Sequence, residues 1–196
     1  VTGHESGMRG LRAWRARVEA AHTAGDLAGA RALANRARVW ANTDLTRAEF
    51  LVRAGRIAIE MGDVAAGRDA LRGAVDRNAA GPWGRAAAET LQQGSMTVDD
   101  HLAVARVLRA QGLHAESLDG YGRWLASGAG SPAQRADVHM EHANALFYSE
   151  RYAEVAQALR PVASQVSARM LHARAEAHRG NIDGAVRIYL ALADEY

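Results

Sequence analysis

The sequence predicts an all-α fold, a right-handed solenoid of about five stacked helical hairpins. Three observations carry that expectation. The stretch Val166–Tyr196 reads helix, tight turn, helix, with Ala173 seven residues before Gly180 and Ala185 five after it. Small residues at those offsets let two antiparallel helices approach closely, and glycine accepts the positive φ that ends the first helix. The same template can be laid over most of the chain, with turns near 25, 62, 112, 150 and 180 and intervals of 37, 50, 38 and 30. A repeat in the thirties with one insertion is the spacing of stacked hairpins. Composition agrees: an Ala-rich chain of 196 residues, 48% hydrophobic with three Pro, favours helix over strand.

The first hairpin spans about 9–40 and turns at Gly25-Asp26. Its leading helix carries Leu11, Trp14, Val18 and Ala21 at helical spacing, and its trailing helix is mostly Ala. The second, about 46–76, turns at Gly62-Asp63, with Gly55 and Gly67 at the close-packing offsets. Two glycines inside helices each cost about 0.5–1 kcal/mol relative to Ala, so tight packing is the expected compensation. Thr46-Arg-Ala-Glu49 reads as the capping box that starts this unit. An extra helix over about 83–93 follows, opened by Gly81-Pro82 and stopped by Gly94. The third hairpin, about 97–126, is capped by Thr97-Val-Asp-Asp100 and turns at Gly112. The fourth, about 132–161, opens with Ser131, Pro132 and Gln134 as a second capping box, and Glu150-Arg151 stands where the others have glycine. The fifth, about 164–196, is the template itself. All five are expected to form one helical-repeat domain over 1–196.

Charge and residue usage narrow the function. All 24 basic residues are Arg, which reads as the codon bias of a GC-rich bacterial genome. Against 22 acidic residues the net charge is only +2, with both signs mixed along the chain, so no nucleic-acid partner is expected. Cysteine is absent, which removes disulfides, thiolate chemistry and zinc-thiolate sites. No apolar run reaches the roughly 18–20 residues that span a bilayer, and Val1–Met8 lacks the pattern of a signal sequence.

No catalytic, metal or cofactor site is expected. His139 and His142 lie one helical turn apart, but no third or fourth ligand and no His-Glu-x-x-His pattern accompanies them. His172 and His178, six apart, fall on different faces. The loop Gly128-Ala-Gly130-Ser-Pro132 has no Lys-Ser/Thr after it and no strand before it, so it is no phosphate cradle.

The units resemble tetratricopeptide (TPR) repeats, through Gly55 with Gly62-Asp63, Gln111-Gly112 with Tyr121, Arg151-Tyr152-Ala-Glu154, and Gly180-Asn181 with Ala185 and Tyr189. The likeness covers roughly Leu11 to Tyr196; the irregular unit lengths and the missing prolines between most units depart from the family pattern. An Arg-rich, irregular array of this kind also looks like the superhelical N-terminal region of bacterial soluble lytic transglycosylases, which would place the protein in the cell envelope. Those enzymes carry a catalytic Glu in a Glu-Ser pair with Gly-Leu-Met-Gln downstream. Glu5-Ser6 and Glu116-Ser117 have no such motif after them, so this chain would be a non-catalytic accessory region.

The resemblance to TPR repeats implies that the leading helices line a concave groove for a protein or peptide. Six residues before each turn stand Glu19, Arg56, Arg106, Asn144 and Arg174; ten before stand Arg15, Val52, Leu102, Met140 and Met170. Three before stand His22, Ile59, Arg109, Phe147 and Ala177, with Tyr148 and His178 beside the last two. Arg and Asn donors among apolar and aromatic surface suit an acidic or carboxylate-ended peptide. The last helix carries more apolar residues than one partner helix can cover, so self-association through it, or continuation of the natural chain past Tyr196, is expected.

Overall fold

A computed structural model describes residues 2–195, with side-chain surroundings from residue 10 onward, so Glu5-Ser6 and Tyr196 lie outside the described side chains. The described residues form eleven α-helices and one 3-10 turn, with no strand. Within each unit the helices pack mainly on their neighbours in sequence, as stacked helical hairpins do. The contacts fall into two compact units, Val1–Ala110 and Gln111–Tyr196.

The first unit holds α1 (Thr2–Thr23), α2 (Leu27–Trp40), α3 (Asp44–Glu60), α4 (Val64–Asn78), α5 (Pro82–Leu91) and α6 (Val98–Ala110). Helix α3 is its centre because it is apolar on two sides. It presents Phe50, Ala54 and Ile57 to Val18 of α1 and Ala30, Ala34 and Ala37 of α2. Ala48, Leu51 and Val52 face the other way, toward Leu71 and Val75 of α4 and the helices beyond. Helices α3 and α4 meet at Gly55 and Gly67. A Cβ on Gly55 would come within 2.9 Å of the Gly67 carbonyl oxygen, and one on Gly67 within 2.8 Å of the Gly55 oxygen. That contact has no room for a methyl group, so the packing compensates for two poor helix formers. The extra helix α5, entered through Pro82 at its first turn, packs against α3, α4 and α6.

The second unit holds α7 (His114–Ala126), α8 (Pro132–Tyr148), α9 (Tyr152–Leu159) with the 3-10 turn Arg160–Val162, α10 (Val166–His178) and α11 (Ile182–Ala193). Tyr121, Trp124, Val138, Val155 and Leu171 are among its buried side chains. Burying each is worth roughly 1.5–3 kcal/mol before the cost of ordering it. The expected capping box of α8 forms, Ser131 and Gln134 bonding each other's backbone N–H.

The corners explain the Gly-Asp signature. At the second, the Gly62 N–H donates to the Ile59 carbonyl and the Asp63 N–H to that of Ala58, so two orphan carbonyls of α3 are satisfied. Gly62 has φ +85°. The Asp63 carboxylate then accepts from the Ala66 N–H and caps α4. One dipeptide ends a helix and begins the next. Gly25-Asp26 and Gly180-Asn181 repeat both halves of this device. All five expected turns carry a residue at positive φ, and at the fourth it is Glu150, with φ 62°.

One start signal is corrected. Helix α3 begins at Asp44, capped by Thr43, whose hydroxyl accepts from the Thr46 N–H. Thr46 is therefore already inside the helix, and Glu49 closes no box. Its carboxylate is buried and bound by Arg15 and Arg53. Thr97 and Asp100 do bond each other's backbone N–H as expected, and buried Asp100 also accepts from Arg68 and Arg72 of α4.

Candidate functional site

In the first unit, several of the expected groove donors are bonded to neighbouring helices. Arg15 on α1 makes a bidentate pair with Glu49 on α3, Nε to Oε1 at 2.7 Å and Nη2 to Oε2 at 2.5 Å. Glu19 lies 3.6 Å from Arg53. Arg56 donates to the Thr90 hydroxyl at 3.1 Å and the Ala86 carbonyl at 3.2 Å, both on α5. Arg106 of α6 reaches Asp76 of α4 at 3.2 Å. Arg109 is half-buried in the last turn of α6. His22 meets Glu60 at 2.7 Å, and Val52 and Leu102 are core residues. Arginines at these positions stitch one hairpin to the next, and a bidentate fork suits that task better than a lysine would.

The second unit brings four of the named residues together. Helix α8 ends in Phe147 and Tyr148, and the left-handed corner at Glu150 starts α9 at Tyr152. That corner sets Tyr152 edge-on to Phe147, with ring centroids 5.2 Å apart. From α10, His178 stacks on Tyr152 at 4.8 Å and meets Phe147 edge-on at 5.2 Å. Arg174, one turn earlier, lies over the Phe147 ring with its guanidinium 4.7 Å from the centroid. Tyr148 stands edge-on to Phe147 and stacks on His114 of α7, centroids 4.9 Å apart. Phe147 is buried at the bottom, whereas Tyr148, Arg174 and His178 are exposed.

Two further groove positions lie along α8: Met140 and Asn144 are half-buried, two turns and one turn before Phe147, and the Asn144 amide donates to the Met140 carbonyl. Met170 is exposed on α10. Tyr152 and His114 belong to the cluster although the periodicity of the leading helices did not single them out. The signal for Tyr152 was the corner itself, which sets the end of one helix beside the start of the next.

The chemistry of the cluster follows from its parts. A guanidinium over a ring gains roughly 0.5–2 kcal/mol and keeps its in-plane donors outward. Arg174 has no ion pair among the described residues. Exposed ring faces and a phenol complete a surface that can receive a carboxylate beside an apolar or aromatic side chain.

The other histidine pair does different work. His142 lies 6.3 Å from the Tyr121 ring, and burial first, then the neighbouring His139 and Arg151, lower its pKa. Burial likewise lowers that of His139. Both are therefore neutral at pH 7. Among the described residues no group of three or more His, Asp or Glu could hold a metal ion, and no helix is long and apolar enough to cross a membrane.

Fold and surface together define an all-α helical-repeat protein with a repetitive helical surface of the kind that serves protein interaction. No protein-family model and no curated protein matches the chain.

Proposed function

We propose that this chain is a non-catalytic, TPR-like binding module whose second unit receives the acidic or carboxylate-bearing end of a protein or peptide. The observation that carries the reading is Arg174. Arg15, Arg56 and Arg106 are spent on neighbouring helices, whereas Arg174 is exposed, braced on Phe147 and unpaired among the described residues. The ligand carboxylate pairs with its guanidinium, and an adjoining side chain lies on Tyr148 and His178. Asn144 and Met140 extend the surface along α8. The reading of the chain as an accessory region of a lytic transglycosylase rests on resemblance alone, and the flanking sequence of its parent gene separates the two.

The test is binding of a fluorescent hexapeptide that ends in Phe-Asp with a free α-carboxylate, compared with its C-terminal amide. The acid form binds the protein more tightly, and Arg174→Met lowers its affinity about tenfold with helicity retained, since a lone surface charge contributes little to the fold. Equal binding of acid and amide, or an unchanged affinity in Arg174→Met, rules the reading out.

A further inference from the structure

A second surface, in the first unit, is a cleft of about 650 Å³ between α2 and α4. Its floor is Leu51 and Ala54 of α3. The α2 wall carries Arg31, Asn35 and Arg38 one turn apart, and the α4 wall is Ala66, Ala70 and Gly73 at the same spacing. A smaller recess of about 260 Å³ shares Arg38, Leu51 and Arg77 with it and adds Val39 and Arg47.

The charges around this cleft do not cancel. Asp69 is taken by Arg72, and Asp76 lies 3.2 Å from Arg106. Asp44 serves two cations, Arg77 at 3.2 Å and Arg47 at 3.7 Å. Arg31 is paired with Asp63 at 2.9 Å. Arg38 has no ion pair among the described residues and stands where the two hollows join. The junction therefore holds Arg38, Arg47 and Arg77 against the single Asp44. Beside it Val39 and Trp40, 74% and 73% exposed, offer apolar surface.

Gly73 shows that the opening is not demanded by the fold. At Gly55 a side chain would strike backbone, but at Gly73 an added Cβ would first meet Leu51 at 3.7 Å, an ordinary contact. Ala would fit there, and a helix interior prefers Ala by about 1 kcal/mol. What the missing side chain keeps is space above Leu51.

We infer that the α2–α4 cleft is a second binding site, for an extended acidic peptide segment with its carboxylates at Arg38, Arg47 and Arg77 and small apolar side chains over Leu51, Ala54 and Gly73. Charge complementarity selects the acidic segment, a hollow of this volume is the size that side chains fill, and the Asn35 amide is placed to bond the peptide backbone. The site shares no residue with the Arg174 cluster, so either can fail without the other.

The experiment measures fluorescence anisotropy of a labelled octapeptide of alternating Glu and Leu, against the Lys-Leu peptide of the same length. The acidic peptide binds and the basic one does not. Arg38→Glu lowers affinity at least about tenfold, as reversal of a contacting charge does. Gly73→Leu fills the cleft and lowers it similarly while the helical signal is retained; every protein compared carries Arg174→Met and the peptide ends in an amide, so the cluster of the second unit takes no part. Should Gly73→Leu misfold, Arg38→Glu, at an exposed position, decides alone. Equal binding of the two peptides, full affinity in Arg38→Glu, or displacement of the peptide by an equal concentration of inorganic phosphate would overturn the proposal; the last would mean a simple anion site.

Discussion

At the scale of single residues, Glu150 makes the sharpest statement. It is the one non-glycine with positive φ among the described residues, and it occupies a corner where the other four units have glycine. An L side chain in that conformation costs roughly 1–2 kcal/mol. The side chain is exposed, so little packing is lost by removing it. Glu150→Gly should raise stability by about 1 kcal/mol in a denaturant titration, less whatever glycine adds to the entropy of the unfolded chain. An unchanged or lowered midpoint would show that the carboxylate carries a contact that compensates for the strain. The corner was legible from the sequence because Ala143, seven before it, and Val155, five after it, hold the offsets of the repeat. The close approach of Gly55 and Gly67 was equally legible, because glycine inside a strongly periodic helix has few other reasons to be present. The roles of Glu49 and Arg15 were not. A carboxylate three residues after a threonine looks the same whether it closes a cap or turns inward to a guanidinium thirty-four positions away.

At the scale of elements, the junction of α4 and α6 turns on Asp100. Its side chain is fully buried, and burial alone would raise its pKa. Bonds from Thr97 and from the Arg72 and Arg68 guanidiniums outweigh burial and hold it below the ordinary carboxylate value. A depressed native pKa stabilises the fold above the unfolded pKa of about 4, and that contribution is lost as pH falls through the native value. Asp100→Asn should therefore cost about 3 kcal/mol at neutral pH, because two half-buried guanidiniums lose their counter-charge. The gap between variant and wild type should narrow in acid below pH of about 4. Thermal melts across that range check both claims, and a gap constant with pH would mean that packing, not charge, is what Asp100 supplies. The helices themselves were readable from periodicity and capping residues. The partners of their arginines were not, since local sequence does not say which guanidinium reaches which carboxylate across a packed interface. For the same reason the sequence placed Phe147, Tyr148 and His178 at one groove position and Arg174 at another, without bringing them into contact. Packing of α10 against α8 and α9 makes them neighbours.

At the scale of the whole molecule, the outer face of α11 stands out. Ile182, Val186, Tyr189 and Leu190 follow a helical stripe and are 41–59% exposed, while Gly184, Ala185 and Leu192 are buried in the unit. A stripe of that kind is costly to leave in water and favours association. We expect concentration-dependent self-association in sedimentation equilibrium, abolished when Val186 and Leu190 are both changed to Asp. A chain that stays monomeric at high concentration, with α11 amides as slow to exchange as those of α8, would refute this. The apolar count of the last helix already pointed to it, since periodicity reveals how wide a face is. What would cover the face is written in no local pattern.

The corners have a consequence for how such a chain changes over generations. Where Gly and Asp or Asn meet, the joint closes the carbonyls of one helix and caps the next with its own atoms. It borrows nothing from the helices it connects. A gene duplication or deletion that cuts at two such joints delivers the trailing helix of one hairpin and the leading helix of the next, with both ends already finished. The inherited piece then needs only a compatible face on which to lie. Modular growth of this kind leaves unequal repeat lengths behind as its ordinary trace.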